Sequence, residues 1–580
     1  MIMFRKGICF LLVDLFVSAM FTPGWSQENT IGLIYSDTSR VCEGYTLFPP
    51  KHFTSTYLID NQGGVVNSWE NSTYDPGQSV YLLENGNLLR TCFDKSGNST
   101  GGGEGGRIEE YDWDDNLVWE FDYSTEDYVS HHDIEPLPNG NILFLAVEKK
   151  TYAECVAAGF NPDYLQQVSS RGYILPDYVI EVEPTPPSGG NIVWEWHAWD
   201  HLVQDYDPDR QNYESDATSH PGLIDVNGMG EEVHYFWNHM NSIDYNAELN
   251  QIMLSVRGNS ELWVIDHSTT TEEATGHSGG TYGKGGDILF RWGNPLTYGA
   301  GDQTDQTLFE QHDCQWIEPG CPGEGNILVF NNGLNRPDGS YSSVDEIVPP
   351  VDSNGFYALT AGSAFEPEEA LWIYTTPNKT DFFSEAISGA QRLPNGNTLI
   401  DDGVHGTFWE VTPGKEIVWE YICPVDRNGP MTQGEEPELD HRGHLYNAVF
   451  KIHRYPPDYP AFNGRNMTPG DPVELHPVSI GKNDEIVRGR SRLLQNYPNP
   501  FNNETRIAYQ LPETVNVRLA VHDITGRKLK ILANGQHSAG KYEVTWNGTD
   551  NSGNAVDPGV YLYKLETDTF TEMKQMMLTK

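Results

Sequence analysis

A repeated turn-and-strand pattern is the sequence feature that most constrains the fold. Asn-Gly-Asn turns occupy residues 85–87, 139–141 and 395–397, with a weaker Gly-Asn copy at 325–326, and an apolar strand follows each. Asn-Gly between apolar runs is the strongest short signal for a β-hairpin. Later in each repeat comes a strand that carries a tryptophan. These tryptophans are Trp69, Trp119, Trp194, Trp292, Trp372 and Trp419.

Six copies of a four-strand unit predict an all-β fold, with a six-bladed β-propeller over residues 27–459. The longer intervals between tryptophans would hold loop insertions. A β-sandwich is the structural alternative, but six copies fit one ring better. Pairing of the first unit with residues 448–452 would close that ring.

The first 26 residues have the pattern of a secretory signal peptide. Arg5 and Lys6 precede an apolar run over residues 8–21, and Gly-Trp-Ser at 24–26 offers a cleavage site. A membrane anchor is the alternative, but a spanning helix needs about 20 apolar residues, so we expect no membrane span. Export permits disulfides. Cys314 and Cys321 flank a Pro-Gly turn, and we predict that they pair; two free thiols are the alternative.

The chain is strongly acidic, with a net charge of −47 from 36 basic and 83 acidic residues. This charge argues against nucleic acid or an anionic membrane as a partner, because both favour a basic face. A solvated acidic surface is the ordinary explanation. If the substrate is an anion, a local cationic centre must overcome this field, so arginines beside histidines become informative.

The C-terminal part of the chain has a separate strand pattern. Residues 460–492, rich in Pro, Gly and charge, predict a linker, and short strands at 505–510, 515–523, 542–546 and 560–565 predict a small β-sandwich over residues 493–580. The motifs at 496–501 (Asn-Tyr-Pro-Asn-Pro-Phe), 523–527, 546–548 and 559–563 resemble the C-terminal sorting domain of the type IX secretion system. The resemblance implies the type IX secretion machinery as a partner, secretion or surface display by way of the periplasm, and removal of this domain.

Three histidines, His132, His239 and His312, precede repeat strands at related positions. Gln78 and Ser388 occupy the corresponding place in two other repeats, so the fold alone does not demand histidine there. Equivalent positions of propeller blades converge on one axis, and we therefore expect the three histidines to form a cluster. For each histidine alone, a structural role is the alternative.

An arginine is predicted beside this cluster. If residues 238–245 and 251–257 form a hairpin, His239 lies opposite Arg257; a surface salt bridge is the alternative use of Arg257. Arginine with imidazolium groups suits a tetrahedral oxyanion such as sulfate or phosphate. An adjacent arginine would repel a zinc ion held by three histidines, so we expect neither a metal nor a cofactor.

Several motifs together resemble the arylsulfotransferase family, which uses an aryl sulfate rather than a nucleotide as donor. They are His-His-Asp at 131–133 with Leu-Pro-Asn-Gly-Asn-Ile-Leu at 137–143, His-x-Asn-Ser at 239–242, Ser-x-Arg at 255–257, Gln-His-Asp at 311–313, and the final repeat at 410–420. The resemblance implies a six-bladed propeller and ping-pong transfer of a sulfuryl group from an aryl sulfate to a phenolic acceptor.

The same resemblance assigns roles to residues. His312 matches the histidine that takes up the sulfuryl group, while His132, His239 and Arg257 match those that hold its oxygens. His131 and Asn241 are substrate-binding candidates, and His131 is also a substitute for His132, because a one-residue slip turns a side chain to the other strand face. His132 or His239 would exchange the phenol proton.

Two other functions stay open at this point. One is a non-enzymatic secreted propeller that binds glycans or surface partners through its loops, with structural histidines. The other is a metal-dependent hydrolase or lyase that uses the histidine cluster. Metal analysis and an assay with a chromogenic aryl sulfate and a phenol distinguish these functions.

Overall fold

A computed structural model of the protein describes residues 29–94, 103–168, 171–228, 234–440, 443–475 and 491–579, the last range with gaps at 495, 497–498, 500, 503, 512–513, 539 and 569. The predicted signal peptide lies outside these residues. The chain divides into two compact units, residues 1–477 and 478–580. Nowhere in the described ranges is a helix both long and apolar enough to span a membrane.

Among its described residues, the first unit is all-β and contains six sheets of four or five antiparallel strands, numbered here in chain order. The first sheet consists of His453–Tyr455, Tyr45–Phe48, Thr56–Asp60 and Val65–Trp69. The second consists of Pro76–Leu82, Leu88–Phe93, Gly106–Tyr111 and Leu117–Asp122. The third consists of Tyr128–Pro136, Ile142–Glu148, Asp177–Pro184 and Gly190–His197. The fourth consists of Met240–Asn246, Gln251–Val256, Glu261–Asp266 and Phe290–Trp292. The fifth consists of His312–Trp316, Ile327–Asn331, Ser343–Ile347 and Trp372–Tyr374. The sixth consists of Gly389–Arg392, Thr398–Asp402, Thr407–Val411 and Ile417–Ile422, to which Gly32–Ser36 adds a fifth strand.

Helical segments are short and lie in the connections between strands. The α-helices are Tyr152–Ala158, Pro162–Val168 and Thr271–Ala274, and the 3-10 turns are Ala198–Asp200, Ala217–Ser219, Arg257–Asn259, Pro295–Tyr298, Lys379–Asp381, Gly403–His405 and Pro460–Phe462. Two-residue strand pairs join Lys150–Thr151 to Tyr173–Ile174, Leu202–Val203 to Ile224–Asp225, and Val425–Asp426 to Gly429–Pro430.

The predicted turns and tryptophans occupy equivalent places in the sheets. The Asn-Gly-Asn turns join the first and second strands of the second, third and sixth sheets. Their glycines have left-handed φ values, +91° at Gly86 and +87° at Gly140, a conformation that glycine adopts without steric cost. Each of the six predicted tryptophans lies in the fourth strand of its sheet.

The tryptophans recur because each one connects its sheet to the next. The indole N–H of each of these six tryptophans donates to an oxygen in the connection between the third and fourth strands of the following sheet. Trp419 of the sixth sheet donates to Asn61 O of the first, at 3.0 Å. The other five acceptors, in sheet order, are Asp112 O, Gly189 O, Thr269 Oγ1, Pro367 O and Pro413 O. A buried indole needs such a partner.

Apolar side chains fill the space between successive sheets. Each of the six neighbouring pairs, including the sixth with the first, shares one buried hydrophobic cluster. The cluster between the sixth and first sheets contains Phe48, Ile59, Phe408 and Trp419. The core of this unit therefore lies between sheet faces.

The end of the unit pairs with its beginning. Tyr455 lies opposite Tyr45 and His453 lies opposite Leu47, so the closing strand begins just beyond the predicted residues 448–452, which contribute a single bridge, between Val449 and Pro50. The predicted linker begins a few residues later, at residue 460. Ala461 and Phe462 are buried in the cluster between the first and second sheets. This part of the Pro-rich segment therefore packs against the hydrophobic core of the first unit.

The second unit contains two antiparallel sheets, Arg492–Leu493, Thr505–Leu511 and Gly540–Trp546, and Lys528–His537, Val515–Asp523, Gly559–Glu566 and Thr571–Leu578. Four of these strands match the sequence prediction, while the polar strands 528–537 and 571–578 were not predicted. One hydrophobic cluster, which includes Ile507, Leu519, Trp546 and Tyr563, draws side chains from both sheets.

The predicted disulfide between Cys314 and Cys321 is not formed, and all six cysteines in the described residues are free thiols. Cys314 is buried in the cluster between the fourth and fifth sheets, whereas Cys321 packs against the cluster between the fifth and sixth. The two side chains point into different parts of the core, which their spacing in sequence does not show.

Candidate active site

β-Bulges place the predicted histidines at one edge of three successive sheets. The pairing register shifts between His131 and Ile134 in the third sheet, between Met240 and Ser242 in the fourth, and between His312 and Gln315 in the fifth. A bulge bends its strand and redirects side chains. His132 and His239 have φ values of +51° and +50°, which are costly for residues with a Cβ and persist only where the surroundings impose them.

The structure brings the three histidines together. The rings of His132 and His239 are 5.2 Å apart. Phe236 stacks on His239 at 4.2 Å, and Phe450 lies 6.0 Å from His132 and 6.3 Å from His312. The cluster is thus a buried group of imidazoles with two phenylalanines among them.

Hydrogen bonds determine which nitrogen of His312 carries the proton. Its Nδ1 lies 2.8 Å from Asn332 Oδ1. The amide nitrogen of Asn332 donates to the carbonyls of Ser384, at 2.8 Å, and Ile387, at 3.0 Å, so the atom facing His312 is the amide oxygen, an acceptor. His312 therefore carries its proton on Nδ1. Its Nε2 keeps a lone pair, toward which the Ile387 N–H points at 3.3 Å.

His131 lies beside His132 and makes one hydrogen bond with it. His131 Nδ1 lies 2.8 Å from His132 Nδ1, so one of the two rings donates to the other. On its other side, His131 Nε2 lies 3.1 Å from Asp177 Oδ1, but this buried nitrogen makes no hydrogen bond with the described residues. His131 therefore orients His132 through the Nδ1 contact.

Asn241 and Arg257 border the same cluster. Asn241 Nδ2 donates to Gln311 O at 2.8 Å, and its buried Oδ1 accepts no hydrogen bond from the described residues. Arg257 N–H donates to His239 O at 3.2 Å, in agreement with the predicted hairpin. Its guanidinium forms an ion pair with Glu310, and both side chains are about one quarter exposed, at 25% and 28%.

Burial makes the histidines neutral. It lowers the pKa of His312 to about 3, and the positive charge of Arg257 contributes in the same direction. Burial also lowers the pKa values of His132 and His239 well below their usual range. The imidazolium groups expected from the sequence are thus neutral rings in this structure, because a charged imidazole would lose its hydration there.

The aspartates that follow His132 and His312 have a structural role. Asp133 Oδ2 accepts from Ile243 N–H at 3.2 Å, and Asp313 Oδ2 accepts from Ala390 N–H at 2.9 Å. Each carboxylate thus satisfies a backbone donor on the edge strand of the next sheet. Lys451 bridges both, with Nζ 2.9 Å from Asp133 and 3.2 Å from Asp313. Burial alone would lower the pKa of Lys451, but the two carboxylates raise it.

Sequence reasoning missed four residues that shape this site: Asp177, Glu310, Asn332 and Lys451. Lys451 carried a signal, since it is the one charged residue in the apolar run 448–452. The other three carried none, because their partners are distant in sequence. As a whole, the site brings together three buried neutral imidazoles and one guanidinium.

Comparisons of the chain with known proteins give the following similarities. A sequence comparison with curated proteins finds no match. Among solved structures, the chain is similar to a protein of unknown function from Bacteroides caccae (10% identity, 71% of this chain and 98% of that one, TM-score 0.36) and to a streptogramin B lyase (11% identity, 74% and 95%, TM-score 0.32). FlgD from P. aeruginosa is similar over 16% of this chain and 77% of its own (27% identity, TM-score 0.12). At these TM-scores the likenesses carry no argument about function.

Two protein families match the sequence itself. Residues 497–569 match the FlgD Ig-like domain. Residues 46–428, most of the chain and all three histidines with Arg257, match the family described as arylsulfotransferase (ASST). The chain therefore belongs to the arylsulfotransferase family.

Proposed function

We propose that the protein transfers a sulfuryl group from an aryl sulfate to a phenol by a ping-pong mechanism, with His312 as the nucleophile. The observation that carries the proposal is the hydrogen bond from His312 Nδ1 to Asn332, which leaves the lone pair on Nε2. A buried imidazole whose pKa is lowered to about 3 is unprotonated at neutral pH. His312 is thus prepared for attack without a separate base.

In the first half-reaction, His312 Nε2 attacks the sulfur of the aryl sulfate. The N–S bond forms while the S–O bond to the aryl group breaks, and the electron pair leaves with the phenolate. The Ile387 N–H, which points at Nε2 in the resting site, turns to a sulfuryl oxygen as the new bond forms. In the second half-reaction the acceptor oxygen attacks sulfur, and the N–S electron pair returns to His312.

Arg257 supplies the positive charge for the sulfuryl oxygens. Its guanidinium makes paired hydrogen bonds to such oxygens in a fixed geometry, and donors placed in advance where charge develops are a large part of catalysis. Glu310 holds Arg257 in the resting site, so the anionic donor replaces Glu310 as the partner.

His132 and His239 complete the site. With its Nδ1–H donated to His131, His132 accepts the proton of the incoming phenol on Nε2 and releases it to solvent, where the departed phenolate takes it up. His239 donates to a sulfuryl oxygen, and Asn241, whose buried Oδ1 is unpartnered among the described residues, is the substrate-binding residue beside them. Neutral rings suit these roles, because a neutral imidazole has both one N–H to donate and one lone pair to accept a proton.

We further propose that the six sheets are the blades of a propeller and that the second unit is a β-sandwich that directs type IX secretion. The tryptophan contacts that run from each sheet to the next, and from the sixth to the first, support the ring. Lys451, which reaches aspartates of the third and fifth sheets, supports a common centre. The motifs near residues 496–501 and 559–563 support the sorting role.

The test uses rapid mixing of the protein with a chromogenic aryl sulfate in the absence of acceptor. The wild-type protein should give a burst of phenol release and an acid-labile sulfuryl adduct, and a phenol should then accelerate turnover. His312→Asn should abolish the burst and the adduct. His239→Asn should form the adduct about 10² to 10³ times more slowly, whereas His132→Asn should still form it and should pass the sulfuryl group to the phenol more slowly.

The matched control is His444→Asn, because the side chain of His444 is 45% exposed and lies outside the histidine cluster. It should react at the wild-type rate. If His312→Asn still accumulates the adduct while another histidine variant does not, His312 is not the nucleophile. If no variant or wild-type protein releases phenol, the proposed reaction is wrong.

A further inference from the structure

A second group of polar side chains lies beside the fourth strands of the third and fourth sheets, whereas the histidine cluster lies at the first strands. His201 follows the fourth strand of the third sheet, and Asp287 precedes the fourth strand of the fourth sheet. Asp287 Oδ1 lies 3.0 Å from His201 Nδ1 and 2.7 Å from His277 Nδ1. All three ligand atoms lie within 4.8 Å of one another.

The hydrogen bonds of His201 place an imidazole lone pair beside a carboxylate oxygen. Its Nε2 lies 2.8 Å from the carbonyl oxygen of Ala274, which can only accept, so Nε2 carries the proton. In a neutral imidazole, Nδ1 then has a lone pair, and this lone pair faces a carboxylate oxygen. Two acceptors at 3.0 Å require a cation or a proton between them.

The surroundings of His201 match those of a metal-bound histidine. Such a ligand usually donates its other N–H to a carbonyl or carboxylate, which fixes the ring, and Ala274 O accepts that bond here. Trp196 stacks on the His201 ring at 5.5 Å, with 5° between the planes. His201 is fully buried, so its orientation is fixed before any ion binds.

The spacing suits a small ion with nitrogen and oxygen ligands. Zinc bonds of about 2.0 to 2.2 Å in tetrahedral geometry separate neighbouring ligand atoms by about 3.3 Å. Asp287 Oδ1 lies 3.0 Å from His201 Nδ1 and 2.7 Å from His277 Nδ1, so binding requires the exposed His277 ring to move away by roughly 0.6 Å. Two imidazoles and one carboxylate are a typical three-ligand set for zinc with an open position. Ca²⁺ and Mg²⁺ prefer sets made of oxygen alone.

The open side of this group faces a cavity of about 580 Å³, which Asp287, His277 and Lys284 line together with Tyr282 and Phe356. We propose that His201, His277 and Asp287 form a zinc site whose remaining position is open to this cavity, for water or an oxygen donor of a small molecule. The site shares no residue with the sulfuryl-transfer machinery and does not depend on it.

The test measures zinc binding by the full-length chain without an affinity tag. After treatment with a chelator, titration calorimetry with Zn²⁺ should show one saturable site, and elemental analysis after dialysis should find one equivalent of zinc. Ca²⁺ and Mg²⁺ should not compete at tenfold excess. His277→Ala should weaken zinc binding at least tenfold, and it should fold normally, because the His277 side chain is 59% exposed.

The control is His220→Ala, since His220 lines the same cavity with a side chain 37% exposed but lies outside the group of three ligands. It should bind zinc as the wild type does. Asp287→Asn provides a second variant and should also lose binding. If the wild-type protein binds no zinc, or if His277→Ala binds it with unchanged affinity, a protonated His201 holds Asp287 and the proposal is overturned.

Discussion

The role of Asn332 gives the sharpest test of how His312 is prepared for attack. In Asn332→Leu, the Nδ1–H of His312 would be buried without an acceptor, which costs about 1 to 3 kcal/mol. The ring can avoid this cost by moving its proton to Nε2, where the reactive lone pair should be. Since 1.36 kcal/mol corresponds to a factor of ten, we expect the burst rate constant to fall about 5- to 150-fold.

Two measurements separate this effect from a general loss of stability. Imidazole ¹⁵N chemical shifts report which nitrogen is protonated, and in Asn332→Leu the Nε2–H form should increase. Asn331→Leu is the matched control, because Asn331 is also buried and bonds to Asp345, at 3.0 Å, but does not touch His312. If Asn332→Leu keeps the wild-type burst rate and tautomer, the reasoning about the lone pair is refuted.

Four further predictions concern charge and domain structure. The lowered pKa keeps His312 unprotonated down to about pH 3, so the burst rate constant should stay constant from pH 8 to about pH 5. A histidine with an ordinary pKa would lose activity below about pH 6.5, and stopped-flow measurements across this pH range distinguish the two. Lys451→Met leaves two buried carboxylates without their cation, so denaturant titration should show a loss of about 3 to 5 kcal/mol in the free energy of unfolding. Glu310→Gln releases Arg257 for the donor, and because the ion pair is partly exposed, KM for the aryl sulfate should fall by no more than about fivefold. Deletion of residues 493–580 should leave one cooperative unfolding transition and full transfer activity but prevent export, as measured by calorimetry and cell fractionation.

The fold followed from sequence where local chemistry repeats. Asn-Gly-Asn needs a left-handed glycine, and Gly86 and Gly140 adopt it, so hairpins were predictable. The tryptophans recur because each of the six indoles donates to an oxygen of the next sheet. The strands 528–537 and 571–578 were missed because polar residues interrupt their apolar alternation, and packing against the other sheet decides their structure.

The site was predictable only in part. Motif spacing identified His132, His239 and His312, because the repeat places them at one edge. Asn332 and Asp177 act on these histidines from other strands, and no local pattern marks such pairs. Likewise, spacing alone suggested a disulfide between Cys314 and Cys321. The strand that carries Cys314 directs its side chain into one hydrophobic cluster, whereas Cys321 packs against another.

The closing strand has a consequence for when activity arises during synthesis. Phe450 and Lys451 lie just before His453–Tyr455, which pairs with Tyr45–Phe48. A chain released as far as residue 440 would already contain every histidine of the cluster, but it would lack the phenylalanine between His132 and His312 and the cation that joins their neighbouring aspartates. Catalytic competence should therefore appear in one late step, when the two ends of the unit meet, and partly made chains should remain inactive.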